Sequence, residues 1–280
     1  MDDATALERR VALVTGASRG IGAAIAQRLA AAGATVVCAA RTVRGAPGMQ
    51  GCVNETVAAI ECAGGRAIAL PCDVEDAASR AELIERVKAR CGRLDILVNN
   101  AGTSVLQTVQ DMEMETCRSQ AEQYLFGPLD LSLRAADVMR AQGEGWIVNI
   151  GSSSAVPVDV AQALESGAGA TLPFYGAVKA AVHRLSQGLA IGLAADNIAV
   201  NVAAPVAVID TPGVRAQGIL TPQVAKYLEK VEHIAEAALS LVERPPRECT
   251  GKLAWSYKWL DEIGRDTRSL DGREIIVARA

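Results

Sequence analysis

The chain is poor in the residues that usually mark a specialised partner. Its aromatics are three tryptophans, four tyrosines and two phenylalanines, 3% of 280 residues, which leaves few platforms for stacking bases. Basic residues do not predominate. There are 28 lysines and arginines against 32 aspartates and glutamates, a formal charge of -4 and a pI near 5.4. Nucleic acid is therefore not an expected partner, because its recognition leaves a basic stripe. No stretch reaches the ~18 uninterrupted apolar residues of a membrane span; the most apolar, 21–40, is broken by Gln27 and Arg28. Met1-Asp2-Asp3 lacks the basic start of a secretory leader. Only two histidines are present, His183 and His233. No His/Cys/Asp spacing suggests zinc, so no metal is expected. The seven cysteines form no Cys-x-x-Cys and read as reduced, mostly buried thiols, which places the chain in the cytosol.

What remains is the composition of a soluble globular chain, 50% apolar and 21% charged. A chain of this length buries a substantial core without metals or crosslinks. Short β-rich apolar runs alternate with segments of helical period, which predicts an α/β fold with a parallel sheet covered on both faces. Strands are expected over 10–15, 35–40, 67–71, 94–98, 146–150, 198–203 and 253–256. Helices are expected over 20–32, 55–62, 77–90, 112–142 (bent at Gly127-Pro128), 175–194 and 231–242. A loop with Gly and Pro spans 44–51, and 152–173 reads as a long loop of small residues around Gly167-Ala168-Gly169. No repeat or low-complexity linker divides the chain, so residues 1–280 are expected to form one domain.

The first strand runs into Thr15-Gly16-Ala17-Ser18-Arg19-Gly20-Ile21-Gly22 and then a helix. Glycines there let the backbone approach a pyrophosphate, while the helix N-terminus offers unpaired N–H groups and partial positive charge. Strand–turn–helix is the context in which a glycine-rich turn points to a dinucleotide rather than to a plain tight turn. After strand two an acidic residue would take the ribose 2′-hydroxyl of NAD, and an arginine the 2′-phosphate of NADP. The chain has Ala39-Ala40-Arg41 there, and Arg19 lies in the glycine turn. NADP is the favoured cofactor and NAD the alternative. Asp73 and Val74, after strand three, fit the adenine rim. Asn99-Asn100-Ala101-Gly102 follows strand four at the sheet edge where ligands bind, although the same spacing serves a structural turn.

Tyr175 and Lys179 are i,i+4 neighbours on one helix face. A phenol of pKa near ~10 needs roughly 4 kcal/mol of preference for the phenolate to act as a base near pH 7. An ammonium ~4 Å away supplies about that much at an effective dielectric near 20. Two other readings are set aside. Ser152 to Ser154 lack the Gly-x-Ser-x-Gly of a hydrolase nucleophile. His183, one turn beyond Lys179, is expected at a helix surface or a subunit contact.

Taken together, Thr15-Gly-Ala-Ser-Arg-Gly-Ile-Gly22, Asn99-Asn-Ala-Gly102, Ser152 and Tyr175-x-x-x-Lys179 resemble the short-chain dehydrogenase/reductase family. The likeness extends through Pro205 and Thr211-Pro212 to Thr250-Gly251. It implies a Rossmann-type doubly wound sheet of seven parallel strands in the order 3-2-1-4-5-6-7. It implies NAD(P)-dependent interconversion of a secondary alcohol and a carbonyl. Tyr175 would be the acid/base, Ser152 would hydrogen-bond the reacting oxygen, and Lys179 would lower the Tyr175 pKa and hold the nicotinamide ribose. Gly16, Ser18, Arg19, Gly20, Ile21, Gly22, Arg41, Asp73, Val74, Asn100, Ala101, Gly102, Pro205, Val208 and Thr211 would join Tyr175 and Lys179 in contacting the cofactor.

Three departures stand out. Tyr124 occupies the place of the family's usual helix asparagine, which supports a proton relay through water. Ser152 and Tyr175 are 23 positions apart, more than is usual. The family's Pro-Gly after strand six reads Pro205-Val206. Segments 153–172 and 206–230, rich in Ala, Val, Leu and Ile, are expected to cover a mainly apolar substrate. The resemblance implies a homodimer or homotetramer with contacts through 112–142 and 175–194. The tail, 265–280, is left open as a cover for the site or for a neighbouring subunit. The rival reading is a dinucleotide-binding sensor or scaffold with weakened catalysis.

Overall fold

Apolar runs become the strands, the inner ones buried on both faces and the edge strands only in part. They are β1 (Val11–Thr15), β2 (Thr35–Ala40), β3 (Arg66–Pro71), β4 (Ile96–Asn99), β5 (Gly145–Ile150), β6 (Ile198–Ala204) and β7 (Leu253–Trp255). In the computed structural model, which describes residues 6–45, 51–166, 172–222 and 224–277, they form one parallel sheet in the order β3-β2-β1-β4-β5-β6-β7. This is the Rossmann-type order. Alternate residues serve two cores. Ala12, Val14, Val36, Cys38, Ile96 and Val98 face one side; Val11, Leu13, Val37, Ala39 and Leu97 face the other.

Helices cover both faces. They are α1 (Gly20–Ala31), α2 (Val53–Cys62), α3 (Ala77–Cys91), α4 (Met114–Ala121), α5 (Gly127–Gln142), α6 (Val160–Ser166), α7 (Pro173–Leu193), α8 (Pro212–Ala216), α9 (Val231–Val242) and α10 (Ser256–Glu262). Asp76 caps α3 by accepting from the amides of Ala78 and Ser79, satisfying donors the helix start leaves open. α1 packs on α9 through a buried ion pair, Arg28 Nε to Glu236 Oε2 at 2.6 Å. Arg265 joins it from the chain's end, 2.6 Å from Glu236 Oε1 and paired also with Glu243.

Three expectations change. The helix read as continuous over 112–142 is α4 and α5 joined by a π-helical turn, Glu122–Phe126. Pro128 has no N–H to give the Tyr124 carbonyl four residues back, and the Gly127 amide instead reaches Glu122. The long loop after Ser152 contains α6 and a 3-10 turn, Ser153–Ala155; Gly167-Ala168-Gly169 lie outside the described residues, as do 46–50 of the earlier loop. The tail forms a small antiparallel pair, β8 (Thr267–Arg268) and β9 (Ile275–Val277). It packs near α1 and α2, where Arg273 donates to the Ala63 carbonyl at 3.3 Å, and its described residues do not border the cleft described below. Among the described residues no helix is long and apolar enough to cross a membrane, and no three His, Cys, Asp or Glu side chains gather to hold a metal ion. All seven cysteines are unpaired.

Candidate active site

The strand order reverses between β1 and β4, and a crevice opens there at the carboxyl ends of the strands. Two loops are stitched together at its floor. Thr15 Oγ1 donates to the Val98 carbonyl at 3.2 Å and accepts from the amides of Asn100 and Ala101, each at 3.1 Å. Asn100 Nδ2 donates back to the carbonyls of Thr15, at 2.9 Å, and Gly16, at 3.3 Å. Gly16 has a φ of +67°, and a Cβ there would stand 2.7 Å from Ala101 Cα, so only glycine permits this approach.

Above that floor the N-terminus of α1 points into a cleft of about 350 Å³. Arg19 provides no side-chain cap, and no acidic residue sits in the helix's first turn. Uncapped amides and the helix dipole make this a receptor for an anion. A pyrophosphate fits such a start, where a capped or acidic helix would repel it.

Gly16, Ser18, Arg19, Gly20, Ile21, Arg41, Asp73, Val74, Asn100, Ala101, Gly102, Ser152, Tyr175, Lys179, Pro205 and Thr211 all border this cleft. The structure thus brings together residues drawn from six strand ends. Two do not border it. Gly22 sits behind the glycine turn, where a Cβ would run into Asn100 Nδ2 and the Gly16 carbonyl. Val208 is not among the lining residues, and its carbonyl accepts from the Glu229 amide at 2.8 Å. Arg41 is exposed at the rim, and Glu75 approaches it to 3.7 Å. Glu75 also accepts from Ser119 and Gln123, at 2.7 and 2.9 Å.

The reacting cluster lies where β5 ends and α7 begins. Pro173 opens α7, a position where its missing N–H costs nothing, and Tyr175 and Lys179 follow on one face. Burial holds the Tyr175 phenol above its ordinary value, and the neighbouring Ser152 hydroxyl offsets this only in part. Ser152 Oγ is 2.8 Å from Ser154 Oγ and accepts from the Ser154 amide at 3.2 Å. Lys179 Nζ donates to the Ile150 carbonyl at 2.8 Å. Burial pushes the Lys179 ammonium down to about 7, so its charge is finely poised rather than fixed.

Three neighbours make contacts that the sequence does not report. His183, expected at a helix surface or a subunit contact, is half-buried within its own chain: its Nε2 accepts the Ser152 amide at 3.3 Å, and its ring meets Trp255 edge-on at 5.8 Å. Burial and the Lys179 charge push His183 down to about 4, which keeps that nitrogen an acceptor at neutral pH. Glu229 holds the altered turn after β6, accepting from the amides of Val206 and Ala207 at 2.8 and 3.1 Å. A carboxylate thus anchors the backbone where the family has glycine. The third is Tyr124, whose ring packs edge-on against Tyr175 with centroids 5.4 Å apart and lies under Lys179 Nζ at 4.2 Å. Motif order signals the Tyr124 position, and nothing local signals the other two.

Comparison with known proteins agrees with this geometry. The model of the short chain dehydrogenase family matches residues 10–218. An uncharacterized oxidoreductase of Methylorubrum extorquens is 39% identical over 213 residues, 76% of this chain and 78% of its own length. The 3-oxoacyl-[acyl-carrier-protein] reductase FabG of Escherichia coli is 34% identical over 251 residues, 88% of this chain and 94% of its own. Among solved structures, a short chain dehydrogenase from Burkholderia cenocepacia in complex with NADP superposes with a TM-score of 0.74 at 31% identity, covering 89% of this chain and 97% of that one.

Proposed function

The chain belongs to the short-chain dehydrogenase/reductase family, and from that premise we propose that it is an NADP(H)-linked oxidoreductase interconverting a secondary alcohol and a carbonyl on a mainly apolar small molecule. The observation that carries this reading is the convergence of Ser152, Tyr175 and Lys179 on one cleft with the uncapped start of α1. When bound, the nicotinamide cofactor supplies or accepts the hydride.

The chain's own residues supply everything else. The start of α1 receives the pyrophosphate through the amides of Gly20 and Ile21. Arg19 and Arg41 border the rim where a 2′-phosphate would sit, and no carboxylate ends β2 to compete for it, which supports NADP over NAD. Asp73 and Val74 frame the adenine. In the reductive direction the Tyr175 hydroxyl gives its proton to the carbonyl oxygen, and the Ser152 hydroxyl donates a hydrogen bond to the same oxygen as charge develops on it. In the oxidative direction Tyr175 takes the alcohol proton back. The Lys179 ammonium, 5.8 Å from the centre of the Tyr175 ring, favours the phenolate that must be present to accept that proton. His183 fixes the Ser152 backbone, so the serine hydroxyl is presented at one height above β5.

Support for an apolar substrate comes from Val105, Met112, Leu172 and Phe174, which gather beside Tyr175. Val156, Val158 and Leu164, around α6, are exposed. Phe126, in the π-helical turn, Leu133 on α5 and Ile191 on α7 are exposed large apolar side chains, which supports a homodimer or homotetramer.

The test is a titration with NADPH and with NADH, read by the fluorescence of the reduced nicotinamide, followed by a screen of apolar ketones with the tighter cofactor. Binding of NADPH with its consumption by a ketone is the expected result. Binding of neither dinucleotide would overturn the reading.

A further inference from the structure

Lys179 is a buried cation with little to hold it. Its residue is 4% exposed, it lies on α7 facing the cleft, and the hydrogen bond that the structure gives its ammonium runs to the Ile150 carbonyl at 2.8 Å. An ammonium has three donors. In water the remaining two would be solvated; here the ring of Tyr124 lies on one side of the ammonium, its centroid 4.2 Å from Nζ, and the lysine also borders the cleft. The ring is itself 7% exposed. It is wedged against the backbone after β4, since a Cβ on Gly102 would collide with Tyr124 Cε1. Its edge meets Tyr175 at 5.4 Å. Its place is therefore set from three sides, by Gly102, by Tyr175 and by the π-helical turn that carries it.

The face of an aromatic ring carries negative electrostatic character and attracts a cation, most strongly where both are desolvated. We propose that Tyr124 is a positioning residue that acts through Lys179: its ring face holds the ammonium in place beside Tyr175, in the space where a water and an amide side chain would otherwise serve. The proposal rests on the oxidoreductase reading for its consequence in turnover, but the Tyr124–Lys179 contact itself does not. It accounts for two departures at once. A tyrosine stands where a short polar side chain is usual, and a buried lysine has an aromatic face beside its ammonium at the wall of the cleft. The other titratable groups around Lys179 are Tyr175 and His183, both on its own helix, and His183 is neutral at neutral pH. Tyr124 and Tyr175 are both held above the ordinary phenol range by burial, so neither competes as an anion, and the ring face is the attraction that Tyr124 offers.

The test separates the ring face from everything else Tyr124 does. Tyr124→Leu fills the space without a π face, and Tyr124→Phe keeps the face without the hydroxyl. A third series places phenylalanines of increasing fluorination at position 124, which weakens the face stepwise at nearly constant shape. Two readouts are taken on the whole chain. One is kcat against pH with an active ketone. The other is the titration midpoint of the Lys179 side chain, followed by NMR with lysine labelled in 13C and 15N. The expected result is a fall of about tenfold in kcat in Tyr124→Leu, with a Lys179 midpoint lower by about one pH unit and the NADPH dissociation constant held within threefold. Tyr124→Phe rescues both, and the fluorinated series falls in order between them. An unmoved Lys179 midpoint across the fluorinated series overturns the proposal, and so does equal loss in Tyr124→Phe and Tyr124→Leu. If Tyr124→Leu does not fold, the fluorinated series decides alone. Should the wild-type chain turn over no carbonyl at all, the oxidoreductase reading fails, while the Lys179 midpoint still judges the contact.

Discussion

Lys179 is an instance of function bought with stability. The lysine is almost fully buried, and its ammonium, ordinarily near 10.5, is pushed down to about 7 by loss of solvent. In the unfolded chain the same group binds its proton up to the ordinary value. Between pH 7 and 10.5 the unfolded state therefore holds more protons, so stability rises with pH across that window, and below pH 7 the full cost is present. At 1.36 kcal/mol per unit this cost is of order 4–5 kcal/mol. Lys179→Met keeps the length of the stem and removes the charge. It also leaves the Ile150 carbonyl without its donor, which costs about 1–3 kcal/mol. The net at pH 6 is a gain of about 2 kcal/mol, or roughly 5 °C in melting temperature for a chain of this size. The gain should shrink as pH rises above 7 and reverse between about pH 8 and 9. Calorimetry or urea unfolding at pH 6, 8 and 10 measures it, with turnover recorded on the same samples. The expected variant is more stable at pH 6 and inactive. A variant that is less stable at pH 6, or whose difference from wild type is flat with pH, refutes the reasoning.

Other expectations follow from single contacts. Arg41→Ala should weaken NADPH binding by about tenfold, the worth of one charge-assisted hydrogen bond, and leave NADH nearly unchanged; fluorescence titration of the two cofactors checks this. Glu229→Ala strips the acceptor from the Ala207 amide and leaves Val206 only Ser256 Oγ at 3.2 Å; it should cost about 1–3 kcal/mol in urea unfolding, with a raised cofactor dissociation constant. His183→Leu removes the acceptor of the Ser152 amide and should lower kcat severalfold, with NADPH affinity kept. Because His183 stays neutral down to about pH 4, the wild-type kcat profile should show no His183 titration between pH 5 and 9.

The parts that were legible share one property: each signal lies within its own element. The runs 10–15 and 35–40 are apolar on both faces, so they read directly as inner strands, and 231–242 carries its helical period to both ends and matches α9 residue for residue. Gly16 to Gly22 and Tyr175 to Lys179 are short motifs whose partners are their own neighbours, and their place along the chain made the strand order available through family resemblance. What was missed depends on contacts across the chain. His183 meets Ser152 from 31 positions away, Glu229 reaches back 23 residues to Val206, and Arg28 finds Glu236 across 208. No local period reports such pairs. α6 was hidden for a different reason, being only seven residues long and set among small and proline-flanked positions whose composition reads as loop. The π-helical turn followed from Pro128, which was noticed, but its effect was expected as a bend rather than as a widened turn in an unbroken helix.

The central claim is that Tyr175 exchanges the proton while the rest of the cleft holds the cofactor. Tyr175→Phe tests it most directly, measured as kcat with an apolar ketone beside the dissociation constant for NADPH. The account predicts a loss of about 10²–10⁴ in turnover with cofactor affinity within threefold of wild type. Turnover within a few fold of wild type would contradict it and move the acid/base role to another group in the cleft.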